Sequence, residues 1–332
     1  LAGLSHVAVS KALRDAPDIS AATKERVKKI AEELGYTPNV AARNLYLQRT
    51  STIGMVVPAM GDSTAYDLIF NEVSAAAAAK GFCVMLGSSH RSLELEERHC
   101  RMMVGNQVGA LIVAACGSET AHIKAACGPT PVIFIGGKTG PEERYALLCD
   151  YRSSAARAVE YLTGLDHRDI ALLTYEPENL TIRQKEEGFA QAMRERELAP
   201  RILRTGHAGD AIRAGMEGVE RLAEGGALPT ALWCASDYMA IGAMNALRRR
   251  GLSVPGDVSV MGHDDLYFDL YPDISLTTFH TPMEEIGRAA VELAIALMEG
   301  DGESEPDIEL RRSFRPSLVV RGSTGPVKDG VE

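Results

Sequence analysis

The sequence predicts a mixed α/β chain: a small all-helical head in front of a two-lobed body of parallel sheets flanked by helices. Three observations carry that expectation. The first 50 residues hold short helical stretches punctuated by Gly3, Gly35 and Pro38. From Ile53 onward, apolar β-rich runs alternate with helical stretches, the pattern of parallel strands joined by crossover helices. A length of 332 residues exceeds one ordinary domain, and the number of strand-like runs asks for two sheets.

The head comes first. In Leu1-Ala-Gly-Leu-Ser-His-Val-Ala-Val-Ser-Lys-Ala-Leu13, Gly3 suits a left-handed turn and Ser5 suits the N-cap of a helix over 6–13. Leu4, Val9 and Leu13 can face inward, which leaves His6, Val7, Ser10, Lys11 and Arg14 outside. A helix end, a glycine turn and a short second helix make a helix-turn-helix, whose second helix enters the major groove of DNA by its N-terminal residues. Ser20 can cap a helix over 21–34, where Val27, Ile30, Ala31 and Leu34 recur at helical spacing and Gly35 ends the run. A further short helical stretch spans 38–45, followed by a polar linker. The expected divisions are a head at 1–37 with its first helix incomplete, a hinge at 38–51, a body at 52–323 and a tail at 324–332.

In the body, strands are expected at 53–58, 82–87, 110–114, 132–135, 146–149, 170–174, 231–234 and 258–261. Helices are expected near 66–80, 93–104, 153–162, 182–196, 211–223 and 240–250. Ligands of open α/β sheets sit outside the carboxyl ends of the strands, so a cleft between two lobes is the default pocket.

Composition excludes several classes. An apolar content of 45% with 24% charged residues is that of a globular protein, and no apolar run reaches the roughly 18 residues of a membrane span. No secretory leader is visible, so the expected location is cytoplasmic, with no membrane partner. The six cysteines lack paired spacing and are expected to be reduced, buried small hydrophobes. The first 50 residues carry eight Lys/Arg against five Asp/Glu, whereas the rest carry 27 against 40. A basic end on an acidic body is consistent with that end touching phosphates.

Several stretches then reach a known family. Val9-Ser-Lys-Ala-Leu13, Thr23-Lys-Glu-Arg-Val27, Glu33-Leu-Gly-Tyr-Thr-Pro-Asn39 and Ala42-Arg-Asn-Leu45 resemble the head of the lac repressor/galactose repressor (LacI/GalR) family of bacterial transcription regulators. Matches continue through Thr52-Ile-Gly-Met-Val-Val-Pro58, Gly188-Phe189, Pro229-Thr-Ala-Leu-Trp-Cys-Ala-Ser-Asp237, Val254-Pro-Gly-Asp-Val-Ser-Val260, Gly262-His-Asp-Asp265 and Pro316-Ser-Leu-Val-Val-Arg321. The resemblance runs in order along essentially the whole chain. It implies a periplasmic-binding-protein-like body, with lobe 1 at about 52–151 and 282–305 and lobe 2 at about 152–281 and 306–323.

The resemblance also implies roles. His6 and Val7 match the residues that read base edges; Val7 suits a thymine methyl and His6 a polar edge or phosphate. Lys11 matches a nearby basic residue, while Ser5, Ser10, Arg14, Thr23 and Asn39 match positions that hold phosphates and set register. Leu45 matches a leucine wedged into the minor groove, with Arg43 beside it. Asp264 matches a carboxylate that accepts from ligand hydroxyls, Trp233 an aromatic pocket wall, and Tyr66 an aromatic at the front of the first lobe. Lys185, flanked by Arg183, stands where an Arg is common, and Ser236 where an Asn is common. The implied function is a repressor that binds a pseudo-palindromic operator as a homodimer, under control of a small-molecule effector, a sugar or sugar derivative.

Two other readings compete. An extracytoplasmic sugar-binding protein shares the body but not the head. An enzyme is disfavoured: Gly136-Gly-Lys-Thr139 resembles the end of a phosphate loop, but Val132 stands where that motif needs Gly. No zinc-type spacing or nucleophile–base pair is present, and His263-Asp264-Asp265 are adjacent residues ill placed to converge on a metal. No cofactor and no metal are expected.

Overall fold

Two serines start the helices of the head, as their cap chemistry requires. In the computed structural model Ser5 Oγ accepts from the Ala8 amide at 3.2 Å ahead of α1 (His6–Leu13), and Ser20 Oγ accepts from the Thr23 amide at 3.3 Å ahead of α2 (Ala21–Glu33). The structure describes residues 3–13, 15–36, 50–61, 65–117, 119–136, 140, 142–176, 180–206, 208–226, 228–266, 275–300 and 308–327. It divides into two units, Leu1–Thr50 and Ser51–Glu332. Gly3 and Gly35 adopt the left-handed backbone expected of them, with φ of 63° and 60°. Ala12 and Val27 are the buried centre of the head, and Leu4, Val9 and Leu13 are half-buried around it. Asp15, also left-handed, takes both carboxylate oxygens to Lys28 Nζ at 2.7 and 2.8 Å, which ties the turn to α2. The expected short helix at 38–45 lies outside the described residues.

The body opens with β1 (Thr52–Val57), α3 (Ala65–Ala79), β2 (Cys83–Ser88), α4 (Leu93–Gly105), β3 (Ala110–Val113), α5 (Ala121–Cys127), β4 (Val132–Ile135) and β5 (Ala146–Cys149). The second half runs α6 (Tyr151–Gly164), β6 (Ile170–Thr174), α7 (Leu180–Arg194), β7 (Arg201–Arg204), α8 (Ala211–Glu224), β8 (Ala231–Cys234), α9 (Asp237–Arg249) and β9 (Ser259–Met261). Then follow β10 (Thr278–His280), α10 (Met283–Glu299), β11 (Arg311–Phe314) and β12 (Ser317–Val319).

The first sheet has six strands in the order β11-β5-β4-β3-β1-β2, all paired in parallel. The second has four, β7-β6-β8-β9, also parallel. Strands such as Ile170–Thr174 and Ala231–Cys234 are buried at every position, because helices cover both faces. One core packs α3 and α10 on the first sheet, with Val73, Ile112, Ile133 and Ile286 at its centre. The second lobe carries two cores, one on each face of its sheet, around Leu173, Leu232 and Met239 and around Leu172, Phe189 and Trp233. Helices α8 and α9 touch so closely that a Cβ added at Gly242 would lie 2.0 Å from the Ile212 carbonyl oxygen.

The structure corrects several expectations. The segment 306–323 is not wholly in the second lobe: β11 pairs in parallel with β5, Phe314 opposite Cys149, as the outer strand of the first sheet. The chain therefore crosses between lobes three times, after β5, between β10 and α10, and between β11 and β12. Arg311-Arg-Ser-Phe reads as polar because an outer strand is only partly covered. Not every pair is parallel, since β10 and β12 run antiparallel. Nor is 324–327 a loose tail. His167 Nε2 lies 3.0 Å from the Gly325 carbonyl oxygen, and Tyr161 and Thr324 share a hydroxyl hydrogen bond of 2.7 Å. All six cysteines are free; Cys83 is exposed and Cys116 half-buried, so only four fit the buried expectation.

Candidate functional site

The carboxyl ends of the second lobe's strands converge on a buried charged cluster. Tyr175 follows β6, Ala235–Asp237 follow β8, and His263–Asp265 follow β9. Tyr151 opens α6 directly after β5 of the first sheet, with the Asp150 carboxylate capping the helix at the Ser153 amide (3.0 Å). Lys185 reaches into this group from α7. It is 3% exposed, donates from Nζ to the Ala235 carbonyl oxygen at 2.7 Å, and stands 4.9 Å from the Tyr151 ring centroid.

Electrostatics bind the members together. Burial pushes the Lys185 ammonium down to about 8, against the support of Asp264 and Asp237. Burial pushes Asp264 up to about 6, and Lys185 pulls the other way. Asp237, 1% exposed, is raised well above the ordinary carboxylate range by burial and by Asp264, while the Thr278 hydroxyl and the Leu266 amide (2.8 Å) donate to it. Burial raises the Tyr151 and Tyr175 phenols. A cluster that holds one lysine against carboxylates, ringed by phenols, suits a polar ligand rich in hydroxyls.

Asp264 and Asp265 both sit in the left-handed region, with φ of 113° and 58°. Two consecutive non-glycine residues there cost on the order of 1–3 kcal/mol each and persist only where their surroundings fix them. The fixing contacts are on both sides. The Asp264 amide donates to the Phe279 carbonyl oxygen at 2.9 Å, and Arg321 donates to Asp265 Oδ1 at 2.7 Å.

The expected effector residues divide. Lys185 and Asp264 lie in the cluster. Ser236 joins it through the Tyr175 hydroxyl, while also capping α9 at the Met239 amide (3.3 Å). Tyr66, half-buried at the start of α3, acts on the Tyr151 phenol from the first lobe. Arg183 does not join them; it is exposed, because two residues of separation on a helix put it on nearly the opposite face from Lys185. Trp233 is core rather than pocket wall. It is 0% exposed and packed among Phe189, Phe279 and His263 with ring centroids 6.2–6.5 Å away. Sequence reasoning passed over Tyr151, Tyr175 and Asp237, although each follows a strand's carboxyl end. His263, weighed in the sequence only as a metal ligand, is fully buried against the Tyr151 ring at 5.4 Å, and neither ring nitrogen has a hydrogen-bond partner among the described residues.

A cavity of about 930 Å³ lies elsewhere, where the chain crosses between lobes. Asp150, His280, Pro282, Glu284 and Arg315 are among the residues lining it, and none of the expected effector residues is. Among the described residues no group of His, Cys, Asp and Glu is arranged to hold a metal, and no helix is long and apolar enough to cross a membrane.

In the head, Val7 is 60% exposed at the start of α1, an apolar side chain held out to solvent. Ser5 and Thr23 serve first as cap partners; Thr23 Oγ1 lies 2.9 Å from Ser20 Oγ. Lys11 is ion-paired with Asp18. Ser10 is half-buried on α1. Nothing is described for the His6 side chain, and Arg14, Asn39, Arg43 and Leu45 lie outside the described residues.

This head and this body define a class: a DNA-binding regulator built on a periplasmic-binding-protein-like scaffold. The family model for bacterial regulatory proteins of the lacI family matches residues 1–39, and that for periplasmic binding protein-like domains matches residues 159–324. Curated relatives extend the match end to end. The transcriptional repressor CytR of Escherichia coli is 29% identical, over 97% of this chain and 94% of its own, and the repressor PurR of Pasteurella multocida is 27% identical, over 97% and 96%. Among solved structures, the lac repressor bound to ONPG in its repressed state superposes with a TM-score of 0.86 at 25% identity, over 97% of both chains. The CelR–cellobiose complex superposes at 0.72 and 25%, again over 97% of both. The chain belongs to the LacI/GalR family of bacterial transcription regulators, and it is a regulator rather than an enzyme.

Proposed function

We propose that the chain is a cytoplasmic repressor that holds a pseudo-palindromic operator as a homodimer and changes its grip when a sugar or sugar derivative enters the cleft. One observation carries the reading: a single chain joins a capped helix-turn-helix, with Val7 held out to solvent, to a body whose strand ends gather Lys185, Asp264 and the tyrosines into one buried cluster. The ligands of its relatives support the chemical class, since the lac repressor takes ONPG and CelR takes cellobiose.

Each head alone reads only a few base pairs, so two heads on a dimer match two half-sites. Val7 meets a thymine methyl, and His6 a base edge or phosphate. Lys11 leaves Asp18 for DNA, and Ser5, Ser10, Arg14, Thr23 and Asn39 set register on the phosphates. Leu45 wedges into the minor groove beside Arg43. In the cleft Asp264 accepts from ligand hydroxyls, with Lys185, Ser236 and Tyr66 around it. Lysine in place of the family's arginine, and serine in place of asparagine, point to a ligand different from those of the best-known members.

The test has two parts. A melting-temperature screen of sugars, sugar acids, polyols and nucleobases finds the ligand, because one present at 100-fold its Kd adds about 2.7 kcal/mol. A gel shift against DNA from the source genome then measures a sequence-specific, salt-sensitive complex with and without that compound. Leu45→Ala weakens the complex and leaves ligand affinity intact. Indifference of the whole chain to every duplex, with or without the compounds, ends the proposal.

A further inference from the structure

We infer that His280 is a positioning residue that ties the Asp264–Asp265 loop of the second lobe to helix α10 of the first, so that occupancy of the cleft reaches the first lobe through it. The inference rests on the cleft being the effector site. His280 ends β10, on the second of the three crossings. Its backbone pairs with Asp264 as an isolated parallel bridge. Its Nδ1 lies 3.2 Å from Asp265 Oδ2, while Arg321 holds the other oxygen of that carboxylate at 2.7 Å. On the far side of the ring, Nε2 lies 3.8 Å from Glu284 Oε2, in the first turn of α10. Arg321, Asp265, His280 and Glu284 thus form one continuous chain of polar contacts from the second lobe across the crossing into the first.

Both ends of that chain are tightly set. At one end, Asp264 and Asp265 hold left-handed backbones that only their surroundings maintain, the mark of an element with a second accessible arrangement. A ligand that draws on Asp264 therefore acts on the loop whose neighbouring carboxylate His280 holds. At the other end there is no slack. Gly287 presses α10 onto α3 so closely that an added Cβ would lie 2.7 Å from Glu72 Cβ and 3.2 Å from the Val73 amide nitrogen. A shift at the N-terminus of α10 must move α3. His280 and Glu284 line the crossing cavity, apart from Lys185 and Asp264, so a ligand in the cleft need not touch them.

The test uses the full chain as His280→Leu, His280→Gln, Glu284→Gln and the double variant H280L/E284Q. The probe is whichever of cellobiose, ribose or a hexuronic acid raises the wild-type melting temperature. Two quantities are read: probe affinity by calorimetry, and the ratio of operator affinities with and without saturating probe. The expected result is probe affinity within about threefold of wild type in every variant, and a ratio at least about fivefold closer to one in His280→Leu. The double variant should lose no more than His280→Leu alone, because both act on one chain. His280→Gln, which keeps a donor for Asp265 but cannot span to Glu284, should fall between. An unchanged ratio with a lowered melting temperature makes His280 purely structural and overturns the inference. So does a ratio that falls only in step with probe affinity. A wild-type protein that binds the probe but never changes its operator affinity overturns the reading of the cleft, and the His280 chain with it.

Discussion

Effector affinity should peak between about pH 6 and pH 8 and fall on both sides. The perturbation is pH alone. Asp264 carries its charge only above about 6, where burial has pushed its carboxyl, and Lys185 carries its own only below about 8. Between those values the cleft holds a carboxylate that accepts from hydroxyls beside an ammonium that donates. Below about 6 the carboxylate takes a proton and loses acceptor strength; above about 8 the ammonium loses its proton and its charge. A hydrogen bond to a charged group contributes about 1.5–3 kcal/mol, so losing one weakens binding roughly 10- to 100-fold. Calorimetry at constant ionic strength from about pH 4.5 to 9.5 reads both limbs. The midpoints belong to the coupled pair rather than to either residue alone. Asp264→Asn should erase the acid limb and Lys185→Met the alkaline one. Flat affinity from about pH 5 to 9, or an acid limb that survives in Asp264→Asn, would show that the pair does not face the ligand.

The same shift makes Asp264 costly to the fold. Its folded value lies above the ordinary 3.8, so ionisation is harder in the folded state than in the unfolded one. Its contribution is most favourable below about pH 4 and is lost as pH rises to about 6. Above that, the displacement from 3.8 to about 6 costs about 3 kcal/mol. Asp264→Asn should therefore raise the melting temperature at pH 7.5 by a few degrees, less whatever Lys185 loses with its partner, and shift the effector response to roughly 10- to 100-fold higher effector concentration. A lowered melting temperature at that pH contradicts the assignment. Gly242→Ala would place a methyl 2.0 Å from the Ile212 carbonyl oxygen, so α8 and α9 must separate; a loss of at least about 1–3 kcal/mol is expected, read as a lower melting temperature. Ser20→Ala removes the cap of α2 and should cost the head about 1 kcal/mol, weakening operator binding while calorimetry shows unchanged effector affinity.

Much of this molecule is legible in its sequence, for identifiable reasons. Interior strands such as Ile170–Thr174 are apolar throughout because both faces are covered, and a continuous apolar run announces itself. The caps at Ser5 and Ser20 are legible because only a few side chains satisfy free helix amides. Outer and short elements hide. Arg311–Phe314, Arg201–Arg204 and Ala121–Cys127 carry too little apolar periodicity to stand out, and only pairing partners far along the chain define the strands. The cleft divides the same way. Lys185 and Asp264 follow from matched positions, but burial does not: Trp233 looks like a ligand wall in one dimension and is sealed by Phe189, Phe279 and His263 in three. Tyr151 stands far from Lys185 in sequence, and only the parallel pairing of the first sheet brings β5 to that place.

The cleft gathers costs that a fold selected for stability alone would shed. A lysine and a carboxylate are buried beside a half-buried second carboxylate, two neighbouring aspartates hold left-handed backbones, and the buried His263 nitrogens have no hydrogen-bond partner among the described residues. Natural sequences violate local rules mainly at functional sites, where surrounding structure carries the expense. Here the expense lies at the carboxyl ends of β6, β8 and β9 and beside the crossings, the places a closing cleft must rearrange. A ligand moves an equilibrium only by its differential affinity for two arrangements. A strained, charge-burying loop supplies that differential, because contacts that stabilise Asp264 in one arrangement are weakened in the other. The strain at Asp264 and Asp265 and the regulation of the head then share one cause, and a variant that relaxes the loop should gain stability in step with the control it loses.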